Sequence, residues 1–236
     1  MKKFLGLVLV LFLAALPAGA ALSCGNGASA RAFTPGVSVA YPANPTAGDL
    51  LVVCQGGQDQ ATVTISSTAG EVWTAWQSGA SPNIYSTGGF WQQYCFRATA
   101  VGGADTVTVT LGAEVYATTI VVGECTGFTG TITEDKGNKN QGTSGTATSG
   151  ATGTLSNANE VIISAAAFND GWSTTPSGFT LFSDDTDVGM VYKIVSATTS
   201  TTATYQSVFD PYTANIDTFY SGGAASGPSV GLSITH

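Results

Sequence analysis

The sequence predicts an all-β protein, folded as a single jelly-roll-like antiparallel β-sandwich. Three observations carry this. Apolar and hydroxyl residues alternate with period two in several runs. No stretch shows helical periodicity. Gly and Pro interrupt the runs at short intervals, as they do in sandwiches and barrels.

The chain opens with Met1-Lys2-Lys3, an apolar run from Phe4 to Leu16, then Pro17 and the small residues Ala18-Gly19-Ala20. A basic start, an apolar middle and an A-x-A site make residues 1–20 a secretory signal peptide. The apolar run is shorter than the roughly 20 residues a membrane span needs. The mature chain is therefore expected to be secreted, with no transmembrane span. Cys24, behind Ala21-Leu22-Ser23, loosely matches a bacterial lipobox, and lipid anchoring through Cys24 is the alternative. Ala21 stands where that pattern has Leu. The four cysteines, Cys24, Cys54, Cys95 and Cys125, form an even set in the mature chain, as expected of disulfides in an oxidising compartment. Lipidation would leave three. All three pairings are open.

Residues 21–35 read as an N-terminal segment and 36–236 as the sandwich domain. Only 9% of the chain is charged, against about 25% for an average globular protein. Yet 43% is hydrophobic and 10% aromatic, which is not a disordered composition. Thr, Ser, Gly and Ala replace the charges, as in a β protein whose outer faces carry hydroxyls. The formal charge is −8, and loss of Lys2 and Lys3 makes it more negative. Nucleic acid and anionic membranes would repel such a chain. Polysaccharide, another cell-surface polymer or a second copy of the chain remain as partners.

The strand signals follow in order. Leu50 to Cys54 is continuously apolar, as in a strand buried on both faces. Ala61 to Ser66 alternates, with Val63 and Ile65 on one face and Thr62 and Thr64 on the other. In Trp91 to Ala98, the residues Tyr94, Phe96 and Ala98 read as the core side, which places Trp91 on a mostly polar face. Thr106 to Leu111 turns Val107, Val109 and Leu111 inward. Ile120 to Val122 is again continuously apolar.

The order of strand and turn types recurs. Asp49 to Val52, Ser67 to Gly70, Tyr94 to Arg97, Thr106 to Thr110 and Tyr116 to Glu124 match Glu160 to Ile163, Thr175 to Gly178, Tyr192 to Val195, Thr201 to Tyr205 and Tyr212 to Tyr220. This gives half-repeats of about 37–128 and 160–236, joined by a Gly/Thr/Ser-rich loop over 129–159. Each half is either a small sandwich or one part of an interleaved jelly roll. Five strands per half is few for an independent sandwich of about seven strands, which favours interleaving.

Three phrases, Ala47 to Val53, Thr68 to Thr74 and Val121 to Phe128, resemble the β-sandwich modules of secreted bacterial surface proteins and phage tail proteins. Cys125 stands where those modules usually have Tyr. The resemblance implies a jelly-roll-like fold and adhesive or structural roles, and it carries no catalytic residues to this chain.

Chemistry is sparse. The one histidine is His236, and neither a G-x-S-x-G elbow, a phosphate loop nor paired C-x-x-C spacing occurs. No cofactor is expected, beyond a structural calcium ion that the carboxylates Asp184, Asp185 and Asp187 of one turn could hold through oxygen. A solvated acidic turn is the simpler reading. A pair of carboxylates could hydrolyse a glycosidic bond, and Glu71, Glu114, Glu124 and Glu160 are the glutamates outside the joining loop. Nothing in their spacing pairs them. The expected function is non-catalytic: a secreted binding or structural module, recognising carbohydrate or acting as an adhesin at the cell surface. Trp76, Trp91, Trp172 and Tyr85 are the expected ligand contacts, since an exposed aromatic ring can stack on a sugar. Trp73 aligns with Leu181 across the repeat and is read as core, with Trp76 on the opposite face. The alternatives are a carbohydrate-active enzyme and a self-assembling surface or filament subunit, for which unpaired strand edges would serve.

Overall fold

The computed structural model describes residues 21–58, 62–78, 83–85, 91–112, 117–143, 145–168, 174–206 and 211–222. Residues 1–20, Glu114, Trp172 and His236 lie outside the described residues. The described chain is all-β and sandwich-like, with antiparallel sheets and no closed barrel.

The first half supplies β1 (Ser23–Ala32), β2 (Gly36–Ala40), β3 (Leu50–Gln58), β4 (Val63–Ser67), β5 (Thr74–Ala75), β6 (Asn83–Tyr85), β7 (Trp91–Thr99), β8 (Thr106–Leu111) and β9 (Thr118–Thr126). The second supplies β10 (Thr131–Gly142), β11 (Thr146–Ala151), β12 (Glu160–Phe168), β13 (Thr180–Asp185), β14 (Val188–Val195), β15 (Thr202–Gln206) and β16 (Tyr212–Gly222). Strands run through two segments not read as strands. The N-terminal segment 21–35 carries β1, and the loop 129–159 carries β10 and β11. Their Gly, Asn, Ser and Thr content hid them, because neither β1 nor β10 has an apolar alternation.

Each half builds a large and a small sheet. The large sheets run β1-β9-β3-β7-β5, with β6 also on β7, and β10-β16-β12-β14-β13. The small ones run β2-β8-β4 and β11-β15. The strand orders correspond, except that β4 and β6 have no counterpart among the described residues of the second half. Leu50 lies opposite Thr99 and Cys125, as Val161 lies opposite Ile194 and Phe219. Even the irregularities match: the first strand of each half bulges, between Gly25 and Ala28 and between Glu134 and Gly137.

Among the described residues, every ladder joins strands of one half, so the halves do not interleave. They stack instead. Leu51, Val53, Val107, Val109, Ile120 and Val122 form the core between the first half's two sheets. Ile162, Ala166, Val191, Tyr205 and Ile216 do so in the second half. A third core, with Leu50, Val52, Trp76 and Val121 from one half and Val161, Ile163, Met190 and Phe219 from the other, joins the two large sheets. The order of layers is small sheet, large sheet, large sheet, small sheet. The halves carry nine and seven described strands rather than the five expected of each, and each half covers the other's open face. Both large sheets are buried on both sides, which explains the unbroken apolar runs in β3, β9 and β12.

Close approach at the seam needs missing side chains. A Cβ on Gly123 would sit 2.6 Å from the Phe182 ring, and one on Gly27 would strike the Phe182 backbone. The two disulfides, Cys24–Cys125 and Cys54–Cys95, each link residues directly opposite in a ladder, β1 to β9 and β3 to β7.

Trp76 is fully buried and meets Phe219 edge-on at 5.9 Å between ring centres. Trp76→Ala should therefore lose about 3–5 kcal/mol of stability in urea unfolding. A loss below about 1 kcal/mol, the range of ordinary surface substitutions, would place the indole outside the core.

Candidate functional site

The structure separates the four expected aromatic contacts. Trp76 is corrected from ligand contact to core. The parity was right, since Trp73 packs toward the first half's own core and Trp76 toward the other face. The second half covers that other face, which one-half reasoning leaves open. Trp73 also changes partner across the repeat. Thr74 pairs with Arg97 as Thr180 pairs with Tyr192, so Trp73 and Trp76 correspond to Phe179 and Phe182. Trp91 and Tyr85 lie opposite each other where β6 meets β7. Their side chains, like all of Trp172, lie outside what the structure describes.

The acidic turn disperses its carboxylates. Asp184 is exposed, and its backbone carbonyl accepts a bond from Ser29 Oγ at 2.8 Å. Asp185 Oδ1 accepts from Thr186 N at 2.6 Å and Thr186 Oγ1 at 3.1 Å, closing the turn. Asp187 is 3% exposed and forms an ion pair with Arg31 at 2.9 Å, tying the second half to β1. These are three separate tasks, and among the described residues no three His, Cys, Asp or Glu side chains converge as a metal site.

The glutamates hold loops. Glu71 accepts from Ser67 Oγ and from Val101 N at 3.3 Å. Glu124 accepts from Asn26 Nδ2 at 2.6 Å and Thr46 N at 3.1 Å. Asn26 itself holds φ +51° in the β1 bulge and bonds both N and O of Ala43. Glu160 accepts from Asn157 N at 2.8 Å. A backbone N–H inside a tight turn needs an acceptor, and a glutamate carboxylate supplies one here.

Carboxyl groups also meet in pairs, which sequence spacing did not reveal. Burial raises the Asp49 carboxyl to about 6, and its hydrogen bond and charge contact with Glu124 push the same way. Burial and the neighbouring Glu134 carboxyl raise Asp217 well above the usual range, against the pull of a Ser78 hydrogen bond. Burial raises Glu160, and Asp135 beside it adds to this. Asp135 itself lies low. Its own burial is outweighed by two bonds from Ser156 and by Lys136 at 3.2 Å. Glu134 also bonds Arg97 Nε at 2.9 Å and Gln77 N at 2.6 Å across the seam. Asp217 stands within Ala214 to Phe219, a stretch of β16 buried along its length.

The outer faces are different in kind. On the β2-β8-β4 sheet, Ser38, Thr108 and Ser66 form one cross-strand row, and Gly36, Thr110 and Thr64 the next. Ser38 and Thr108 share a hydrogen bond of 2.8 Å. Strand geometry sets such rows about 4.8 Å apart across strands and about 6.7 Å along them. Every outward residue of these three strands is Gly, Ala, Ser or Thr. The opposite outer sheet turns out Thr146, Thr148, Thr202, Thr204 and Gln206.

No protein-family model matches the chain, and no curated protein matches it.

The raised carboxyls set a pH dependence. A carboxyl whose pKa rises on folding binds its proton more tightly in the folded state. Its stabilisation is complete below the unfolded value of about 4 and is lost as pH climbs through the folded value. For Asp49 that window runs from about 4 to about 6. Thermal unfolding should show stability falling across this window, and Asp49→Asn should flatten the fall. Parallel curves for the two proteins would contradict the assignment.

Proposed function

We propose that the exported chain is a non-catalytic extracellular module that binds neutral, hydroxyl-rich polymers such as polysaccharide through the outer face of the β2-β8-β4 sheet. The carrying observation is the composition of that face: ordered rows of Ser and Thr hydroxyls, with no charged or aromatic side chain among them. Hydroxyls both donate and accept, as sugar hydroxyls do. The net negative charge of the chain disfavours anionic polymers.

Two further observations support this reading. The two disulfides fit an oxidising, extracellular setting. The Cys24 sulfur is used by Cys125, which speaks against its use as a lipid anchor. The paired carboxyls speak against a glycosidase. Asp49 and Glu124 are close enough that Glu124 helps raise the Asp49 carboxyl, whereas the reaction needs carboxyls about 5–10 Å apart with room for a sugar between them. Glu124 Oε1 is also committed to the Thr46 N–H.

Trp91 and Tyr85, opposite each other in the β6–β7 ladder, favour a second contact region by ring stacking. Retention of the mature protein on insoluble cellulose and chitin tests both. Thr108→Lys with Thr110→Lys should cut retention about tenfold, the loss of roughly one or two hydrogen bonds. Unchanged retention of that variant, with loss in Trp91→Ala, would move the contact to the aromatic pair. Absence of retention by the native protein would overturn the polysaccharide reading.

A further inference from the structure

Each half brings two carboxyls together at the same place in its fold. In the first half they belong to Asp49, just before β3, and to Glu124 on β9, opposite Gly25 of β1. The ladders match Leu50 with Val161 and Cys125 with Phe219, so Asp49 corresponds to Glu160 and Glu124 to Thr218. Cys24 opposes Cys125 as Glu134 opposes Phe219, so Gly25 and Asn26 correspond to Asp135 and Lys136. The second half's pair is Glu160 with Asp135, the second acid standing on the other strand of the ladder. The clasp around each pair repeats as well. Thr46 N donates to Glu124 Oε1 at 3.1 Å, and its counterpart Asn157 N donates to Glu160 Oε1 at 2.8 Å.

The two places differ in charge. Lys136 Nζ lies 3.2 Å from Asp135 Oδ1, so the second half carries its cation within the chain. In the first half that position belongs to Asn26, whose neutral amide donates to Glu124 Oε2 at 2.6 Å. Among the described residues, no Lys or Arg forms an ion pair with Asp49 or Glu124. Asp49 is 8% exposed and lies against Glu124, yet its Oδ2 has no hydrogen-bond partner. A buried carboxylate oxygen is costly until something positive or a donor meets it. Glu124 also lines a groove of about 210 Å³, with Ser23, Asn26 and Thr126 in its walls. Ser23, Gly25, Glu124 and Thr126 share one face of the β1–β9 ladder. The groove is open in front of Gly25, where an added Cβ would meet no atom within 4 Å.

We infer that this groove binds a divalent cation of the calcium class, held by Asp49 Oδ2 and a Glu124 oxygen, at the place that the Lys136 ammonium takes in the other half. Calcium accepts six to eight oxygen ligands in a flexible shell, and waters can supply those that the protein does not. The groove has room for several waters at roughly 30 Å³ each. Two carboxylates balance the two charges of the ion. Magnesium fits less well, because it demands a near-ideal octahedron and gives up water reluctantly. The site is separate from the acidic turn at Asp184, Asp185 and Asp187, and it stands independently of polymer binding on the β2-β8-β4 face.

Calorimetric titration of calcium chloride into the EDTA-treated mature protein, near neutral pH, tests it. One site per chain is expected, with a Kd of about 10⁻⁴–10⁻³ M, as in extracellular modules with few charged ligands. Glu124→Gln and Asp49→Asn should each weaken binding by about tenfold or more, because each removes one charge from the ligand set. Near-ultraviolet circular dichroism reports that both variants are folded. Asp185→Asn should bind as the native protein does. Absence of saturable calcium binding by the native protein would overturn the inference. So would native affinity in both carboxyl variants, or loss of binding in Asp185→Asn, which would assign the ion to the acidic turn. Equal heats from sodium chloride at matched ionic strength would also overturn it, because they would show screening alone.

Discussion

The apolar seam between the two large sheets is the contact on which the rest of the structure depends. Leu50, Val52, Trp76 and Val121 meet Val161, Ile163, Met190 and Phe219 there, nearly all without solvent exposure. Each large side chain buried this way contributes about 1.5–3 kcal/mol. Without the seam, each half would show one wholly apolar face of a large sheet to water. The seam therefore joins two sandwiches into one stack. It also decides the sequence of the inner strands, which must be apolar on both faces, and leaves alternation to the thin outer sheets.

The rim of the seam is polar and sets the register of one half on the other. Arg31–Asp187 lies toward one side, and Glu134 with Arg97, Gln77 and the buried Asp217–Ser78 contact toward the other. The two sides are related in the fold. The bulge of β1 receives Phe182, and the equivalent bulge of β10 receives Ser78, so each half inserts the same region into the first strand of the other. The arrangement is that of a two-fold dimer joined into one chain, with self-complementary patches. Buried carboxyls cost solvation unless they are paired or hydrogen-bonded, and these are. They specify geometry more than they add stability.

Much of the fold was legible in the sequence, and for definite reasons. The strands β3, β4, β8 and β12 announced themselves because their side chains either alternate or are all apolar. The even cysteine set and the repeat of strand types were also readable, and the ladders supply both cross-strand pairings. What stayed hidden depended on contacts between the halves. Trp76 was misread as a ligand contact because the layer that covers it begins 55 or more residues later in the chain. β1 and β10 give no strand signal in the sequence because their bulges and small residues serve close approach rather than burial. The acidic turn read as a calcium candidate because one-dimensional spacing groups Asp184, Asp185 and Asp187, while the fold points them to different partners. The paired carboxyls were invisible for the converse reason, since Asp49 and Glu124 meet only across β3 and β9.

The resulting account is of a disulfide-braced, four-layer stack whose interior consumes its carboxyls and its one described seam tryptophan, leaving hydroxyl-covered sheets facing outward. Its central claim is that the two halves share one core and fold as one unit. Scanning calorimetry of the mature protein tests this most directly. A shared seam predicts a single transition whose calorimetric and van't Hoff enthalpies agree. Two resolved transitions, or a calorimetric enthalpy about twice the van't Hoff value, would show halves that unfold independently and would contradict it.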